Sequence, residues 1–189
     1  MSYFVNAGTF LIQTIFEFLI GLFLVRAMLI AINASFLDPV CQFVYKLTNP
    51  ILTPLRRFLP RWGKIETASL LVAFALSLVE FALLGALAGL HMSFMSWLLL
   101  SLVSVLSIAL WIMLWAIVIR CILSFFVSEY ENSNVRLLVQ FTEPVVRPFR
   151  RMLPTLGGLD FSCWLAILAL TLARFLVIAP LSDLAARLV

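Results

Sequence analysis

Two adjacent-arginine pairs, Arg56-Arg57 and Arg150-Arg151, with Arg147 one helical turn before the second, are the polar residues whose spacing points most clearly to a chemistry. Arginines held flat beside an apolar stripe attract anionic lipid headgroups or an acidic partner, each gaining on the order of 1 kcal/mol near an anionic leaflet. A positive-inside topology explains net charge on one side of a membrane. It does not explain why the order Pro-x-Arg-Arg-x-Leu-Pro occurs twice. A second set of charges, Glu17, Glu80 and Arg174, lies inside long apolar runs. An unpaired charge there costs about 2.5–3.5 kcal/mol on insertion scales. That cost predicts that Arg174 is neutralised by Glu80, by Glu17 or by both, as a packing device or as part of a wet ion path.

Other chemistries find little support. His91 is the only histidine, in a short link without Cys, Asp or Glu around it, so neither a His-containing metal centre nor a Ser-His-Asp arrangement has a partner set. Cys41, Cys121 and Cys163 have no CxxC spacing and do not occupy equivalent places, which reads as small apolar fillers. Gly157-Gly158 has no Walker or Rossmann pattern around it. No aromatic platform is interleaved with the arginines, which argues against nucleic acid. The expectation is a non-enzyme with no cofactor and no metal, whose partners are anionic lipids, a membrane protein or a second copy of the chain.

The elements that position these residues are duplicated. Thr48-Asn-Pro-Ile-Leu-Thr-Pro-Leu-Arg-Arg-Phe-Leu-Pro-Arg-Trp-Gly63 returns without a gap as Thr142-Glu-Pro-Val-Val-Arg-Pro-Phe-Arg-Arg-Met-Leu-Pro-Thr-Leu-Gly157, eight of the sixteen residues being identical. Thr48, Pro50, Pro54, Pro60 and Gly63 thus match Thr142, Pro144, Pro148, Pro154 and Gly157 at an offset of 94, and the same offset carries Arg26 onto Arg120. One structural unit is used twice, with units expected at 1–90 and 97–189. Within each, a segment at 38–62 or 132–157 reads as a pair of short one-sided helices. Val40, Phe43, Val44 and Leu47 form the first stripe, and Ile51, Leu52, Leu55, Phe58 and Leu59 the second. Leu137, Leu138 and Phe141, then Val145, Val146, Phe149, Met152 and Leu153, repeat the pattern. Asp38-Pro39 starts the first helix, Thr48-Asn-Pro50 resets the chain, and Pro54 is expected to kink the second helix. Such stripes suit helices lying along a membrane surface.

With 64% hydrophobic and 12% charged residues among 189, this is an integral membrane protein. Four apolar runs are long enough to span: Phe4 to Val25, extending toward Ile32; Ile65 to Leu90, with Gly85 and Gly89 spaced for close packing; Trp97 to Ile119; and Leu159 to Leu181, ended by Pro180. Arg26 and Arg120 close the first and third, where an arginine snorkels to the headgroups. Glu66 and Asp160 fall near the N-termini of the second and fourth, where negative charge is favourable. The fold expected is all-α, four transmembrane helices in two parallel repeats of span, amphipathic helix pair and span. Eleven of the thirteen Lys and Arg fall on the side of the surface segments or at its boundary. That bias puts the segments in the cytoplasm and both termini outside.

At the duplicated Thr-x-Pro-x-x-x-Pro-x-Arg-Arg-x-Leu-Pro-x-x-Gly element, the second copy ending in Gly-Gly-Leu-Asp-Phe-Ser, the chain resembles the YggT family, whose plastid and Gram-positive relatives are called YlmG. The resemblance covers nearly the full length in two-unit form, although Gly63-Lys-Ile-Glu departs from Gly157-Gly-Leu-Asp. It implies a bacterial inner-membrane protein without established enzymatic activity, associated with osmotic-stress tolerance or with organising membrane complexes. No catalytic residues carry over from it.

Overall fold

The computed structural model describes residues 2–35, 38–56, 66–89, 93–124, 133–152 and 161–187. Arg57, Pro60, Gly63, His91, Pro154, Gly157 and Asp160 lie outside them. The described residues are helical, with no strand among them. The first span is α1 (Ser2–Ala31). Asn33, at φ 53°, ends it by turning the chain through the left-handed region, which asparagine tolerates better than most residues. The first surface helix is α2 (Pro39–Leu55), with proline in its first turn after Asp38. The second span, α3 (Thr67–Ala88), stops at Gly89, whose φ of 64° makes the left-handed C-cap. Gly89 therefore ends a helix and does not serve close packing; nothing lies within 4 Å of where its Cβ would be.

The second unit has the same order, with α4 (Phe94–Leu123) as span and α5 (Ser133–Met152) as surface helix. The last span runs through α6 (Phe161–Ala173), a π-helical turn at Arg174–Ile178, and α7 (Ala179–Ala186). Among the described residues, four helices are long and apolar enough to cross a membrane. Each unit is span, surface helix, span. The two surface helices meet at one end of the bundle, where the Ser133 hydroxyl reaches the Asp38 carboxylate and the Gln140 amide donates to the Ile32 carbonyl at 3.0 Å. The repeats are therefore parallel.

Three expectations change. Within the described residues, the surface segment of each unit is one continuous helix through both of its prolines where two short ones were predicted, because those prolines sit on the exposed side. Pro50 and Pro54 withhold donors from the carbonyls of Lys46 and Pro50, and Pro144 and Pro148 from those of Gln140 and Pro144. All those residues are exposed, so the missing donors fall on the outer side while the inner face continues unbroken. Thr48 is accordingly not a cap. It lies mid-helix, its hydroxyl bonded back to the Val44 carbonyl at 2.6 Å. Nor does Pro180 end the fourth span. The preceding turn widens into a π-helix, with the Ala179 amide bonded to the Arg174 carbonyl, and the helix continues.

Packing repeats with the sequence. Beneath α2, Leu52 is fully buried among Ile20, Phe23, Leu24, Ala68, Val72 and Ala73. Beneath α5, Val146, the residue at the matching place, is fully buried with Ile117, Cys163, Ala166 and Leu170. A third cluster joins the units, placing Leu137 and Phe141 of α5 against Leu29, Cys41, Val44 and Tyr45. The predicted surface stripes are thus only partly turned away from the protein: Val44 and Leu52 are buried, whereas Val40, Phe43, Leu47 and Ile51 are exposed. Trp97 donates its indole N–H to the Leu78 carbonyl at 2.9 Å and ties the second unit to the first.

Leu52→Ala should lower stability by about 2–5 kcal/mol. Ile51→Ala, one residue away but exposed, should change it by no more than about 0.5 kcal/mol. Unfolding midpoints of the detergent-solubilised variants, followed by tryptophan fluorescence, check the contrast; equal losses would contradict the described face of α2.

Candidate functional site beneath the surface helices

The most developed polar arrangement is built on Arg26, which the sequence suggested would reach outward to headgroups. It points inward instead and is fully buried. Its Nε donates to Glu66 Oε2 at 3.1 Å, one terminal nitrogen donates to the Thr48 hydroxyl, and the other donates to Asn49 Oδ1 at 2.9 Å. The guanidinium lies 4.7 Å from the centre of the Tyr45 ring. A guanidinium cannot discharge itself by losing a proton, so burial requires this full set of acceptors. α1 supplies the charge, α2 supplies Tyr45, Thr48 and Asn49, and the residue capping α3 supplies the carboxylate.

Glu66 is the second centre. It is buried and accepts from Arg26, from Arg56 Nε at 2.9 Å and from the Ser69 hydroxyl at 2.6 Å. Burial raises its pKa, but hydrogen bonds from Ser69 and Arg56 and the charges of Arg26 and Arg56 outweigh burial and hold the carboxyl below its usual value. Glu66 does sit at the start of α3, yet its side chain caps no amide of that helix. Its work is to join two arginines. Arg56, read from the sequence as an outward lipid contact, is turned onto this carboxylate with its side chain about one-third exposed.

The second unit rebuilds the site with its acid moved. Arg120, 3% exposed, donates to the Thr142 hydroxyl at 2.9 Å and to Glu143 at 3.1 Å. Arg150 stands 3.7 Å from the same carboxylate. Arg120, Thr142 and Arg150 lie 94 residues after Arg26, Thr48 and Arg56, while Glu143 matches Asn49. In each unit, an arginine of the first span and the first arginine of the motif share one carboxylate, and a threonine of the surface helix accepts from the first of them. The sequence reading missed this role for Arg26 and Arg120. The available signal was that arginine and threonine recur 22 residues apart in both copies.

The intramembrane charges are arranged differently from the expectation. Arg174 makes no ion pair with Glu17 or Glu80; its guanidinium lies 4.2 Å from the centre of the Trp111 ring, a cation–π contact. Glu80 is buried, has an oxygen without a hydrogen-bond partner, and feels the charge of Glu17. Positions 17 and 80 match 111 and 174, so each unit places the same two positions of its spans face to face. The first unit puts two carboxyls there and the second an indole and a guanidinium. That arrangement within units is why Arg174 meets an indole. Glu17 and Trp111 both border a largely apolar groove of about 1380 Å³ alongside α1 and α4.

No group of three or more His, Cys, Asp or Glu gathers among the described residues. Cys41, Cys121 and Cys163 are free thiols. On the outer side of α5, Arg136, Gln140, Arg147 and Arg151 form one exposed row opposite Leu138, Phe141 and Val145, which turn toward the bundle.

The family described as CCB3/YggT matches residues 5–87 and again 99–181, the two units that carry these paired sites. The chain belongs to the CCB3/YggT family. A relative described as an uncharacterized protein in the proC 3′ region of Vibrio alginolyticus is 37% identical, covering 91% of this chain and 94% of that one. Uncharacterized protein PA0392 of Pseudomonas aeruginosa is 37% identical over 94% of this chain and 91% of its own. Uncharacterized protein YggT of Escherichia coli K12 is 36% identical over 87% and 86%. No solved structure matches the chain. As a family member with four span-capable helices, this is a multi-pass membrane protein.

Removing one partner of a buried ion pair costs about 3–5 kcal/mol, and Glu66→Gln should do so by leaving Arg26 without its counter-charge. Because the folded-state pKa of Glu66 lies below the unfolded value of about 4.3, its contribution is present above that pH. It is lost as pH falls through the lower folded value. Thermal unfolding from pH 7 to pH 3 should therefore show a steeper acid loss for wild type than for Glu66→Gln; parallel curves would contradict the site.

Proposed function

We propose that this protein is a non-enzymatic organiser of the bacterial inner membrane, holding a basic helix face against the cytoplasmic leaflet and supporting osmotic-stress tolerance or the assembly of membrane complexes. The observation that carries this reading is the exposed row Arg136, Arg147 and Arg151 on α5. No carboxylate among the described residues pairs with these three, so their charge is available to phosphate headgroups or to an acidic partner. Arg120, buried beneath the helix, holds Thr142 on its inner side and Glu143 beside the row, four residues before Arg147, which fixes the row's orientation. Arg56 and Arg150 support the fold and contribute less to the outer charge. Positive-inside bias then places α2 and α5 in the cytoplasm and both termini outside.

Replacing Arg136, Arg147 and Arg151 together by Gln should remove about 3 kcal/mol of attraction to anionic lipid, roughly a hundred-fold in affinity. Titration of the nanodisc-reconstituted protein with phosphatidylglycerol, read as retained lipid by native mass spectrometry, measures it. Retention equal to wild type would overturn the lipid reading.

One observation favours a second reading. Glu80 is buried close to Glu17 with one carboxyl oxygen lacking a hydrogen-bond partner, an expensive arrangement for a purely structural carboxyl. In that reading, the pair passes protons or cations, with Arg174 held apart on Trp111. Purified protein in proteoliposomes should then carry a proton flux that Glu80→Gln reduces at least several-fold. No flux from the wild-type protein would exclude it.

A further inference from the structure

The two units do not use equivalent surfaces equally. On α5, Leu137 and Phe141 are each 6% exposed, sunk against Leu29, Cys41 and Val44 of the first unit. The matching residues of α2, 94 positions earlier, are Phe43 and Leu47, and they are 61% and 45% exposed. Projection and hollow are both duplicated. Leu29, Cys41 and Val44 match Leu123, Val135 and Leu138, and all three of the latter border the groove alongside α4. Val135 is buried, while Leu123 and Leu138 remain half-exposed to that groove.

The contact within the chain therefore joins the projection of unit two to the hollow of unit one. The projection of unit one stays open, and in the hollow of unit two Leu123 and Leu138 keep part of their surface on the groove, Leu138 also packing against the cluster between the units. We propose that a second copy of this chain completes the pair: Phe43 and Leu47 of one copy seat on Leu123 and Leu138 of the next, continuing between chains the interface already made within one. Lipid would cover any apolar face, but the second copy is selected because its own unit presents the hollow that a projection of this type already fills inside the chain. Neither Phe43 nor Leu47 brings a charge into the contact. Because the repeats are parallel, the copies share one membrane orientation. A contact of unlike surfaces closes into a ring or extends as a row. The contact does not depend on the basic row of α5.

A photoreactive p-benzoylphenylalanine at position 43, and separately at position 47, tests it in native membranes containing two differently tagged full-length copies. Adducts linking the two tags, mapped by mass spectrometry to peptides around Leu123 and Leu138, are expected at several-fold the yield from Leu71, an equally exposed apolar position on α3 (47%). Adducts to lipid alone, a yield no higher than at Leu71, or adducts mapping to α2 of the other copy would each overturn the proposal. Using both positions guards against one substitution disturbing the fold. Leu47→Glu should also convert oligomers to single chains when photobleaching steps are counted in native-lipid nanodiscs, and an unchanged count would overturn it too.

Discussion

A buried guanidinium is the constraint on which the rest of each unit depends. Arg26 and Arg120 sit near the ends of their spans that lead into the surface helices, with almost no exposed surface, and desolvating such a charge costs several kcal/mol unless its donors are met. Meeting them requires a hydroxyl, a carboxylate and a second polar group at fixed distances. The surface helix must therefore lie across the foot of the span and present its threonine inward. Once Thr48 or Thr142 faces inward, Leu52 or Val146 one turn further on is driven into the apolar layer beneath. The prolines then fall on the outer side, where their missing donors disturb nothing buried.

Duplication has preserved this core while letting its surroundings diverge. The counter-ion is Glu66 in one unit and Glu143 in the other, donated by different elements to equivalent arginines. At the level of the spans, positions 17 and 80 carry two carboxyls, while 111 and 174 carry an indole and a guanidinium. On the surface helices, the outer side of α2 shows Phe43, Leu47 and Ile51, and that of α5 shows Arg136, Arg147 and Arg151. One unit offers an apolar face and an acidic interior, the other a basic face and a cationic interior. That division suits a protein whose halves meet different neighbours.

Much of this architecture is legible in the sequence. The four spans, the parallel repeats and the family emerge from apolar run length and from the ungapped return of Thr48 to Gly63 as Thr142 to Gly157. Three features are not legible locally. Proline spacing of four residues looks like a break until the buried side of the helix is known, and then Pro50 and Pro54 prove to be in the tolerated phase. An arginine at the end of an apolar run looks the same whether it snorkels out or turns in; only its tie to Thr48, 22 residues away, separates the cases. Arg174 invites a carboxylate partner on charge alone. Repeat arithmetic points elsewhere, since the position facing 174 is that of Trp111.

Arg26 and Glu66 act as one coupled unit fastening α2 to the spans, and their coupling can be measured. A double-mutant cycle with Arg26→Gln, Glu66→Gln and the double variant, followed by reversible unfolding in detergent, addresses it directly. Coupling should fall within about 0.5–3 kcal/mol, with the double variant less damaged than the sum of the singles. Strict additivity would contradict it.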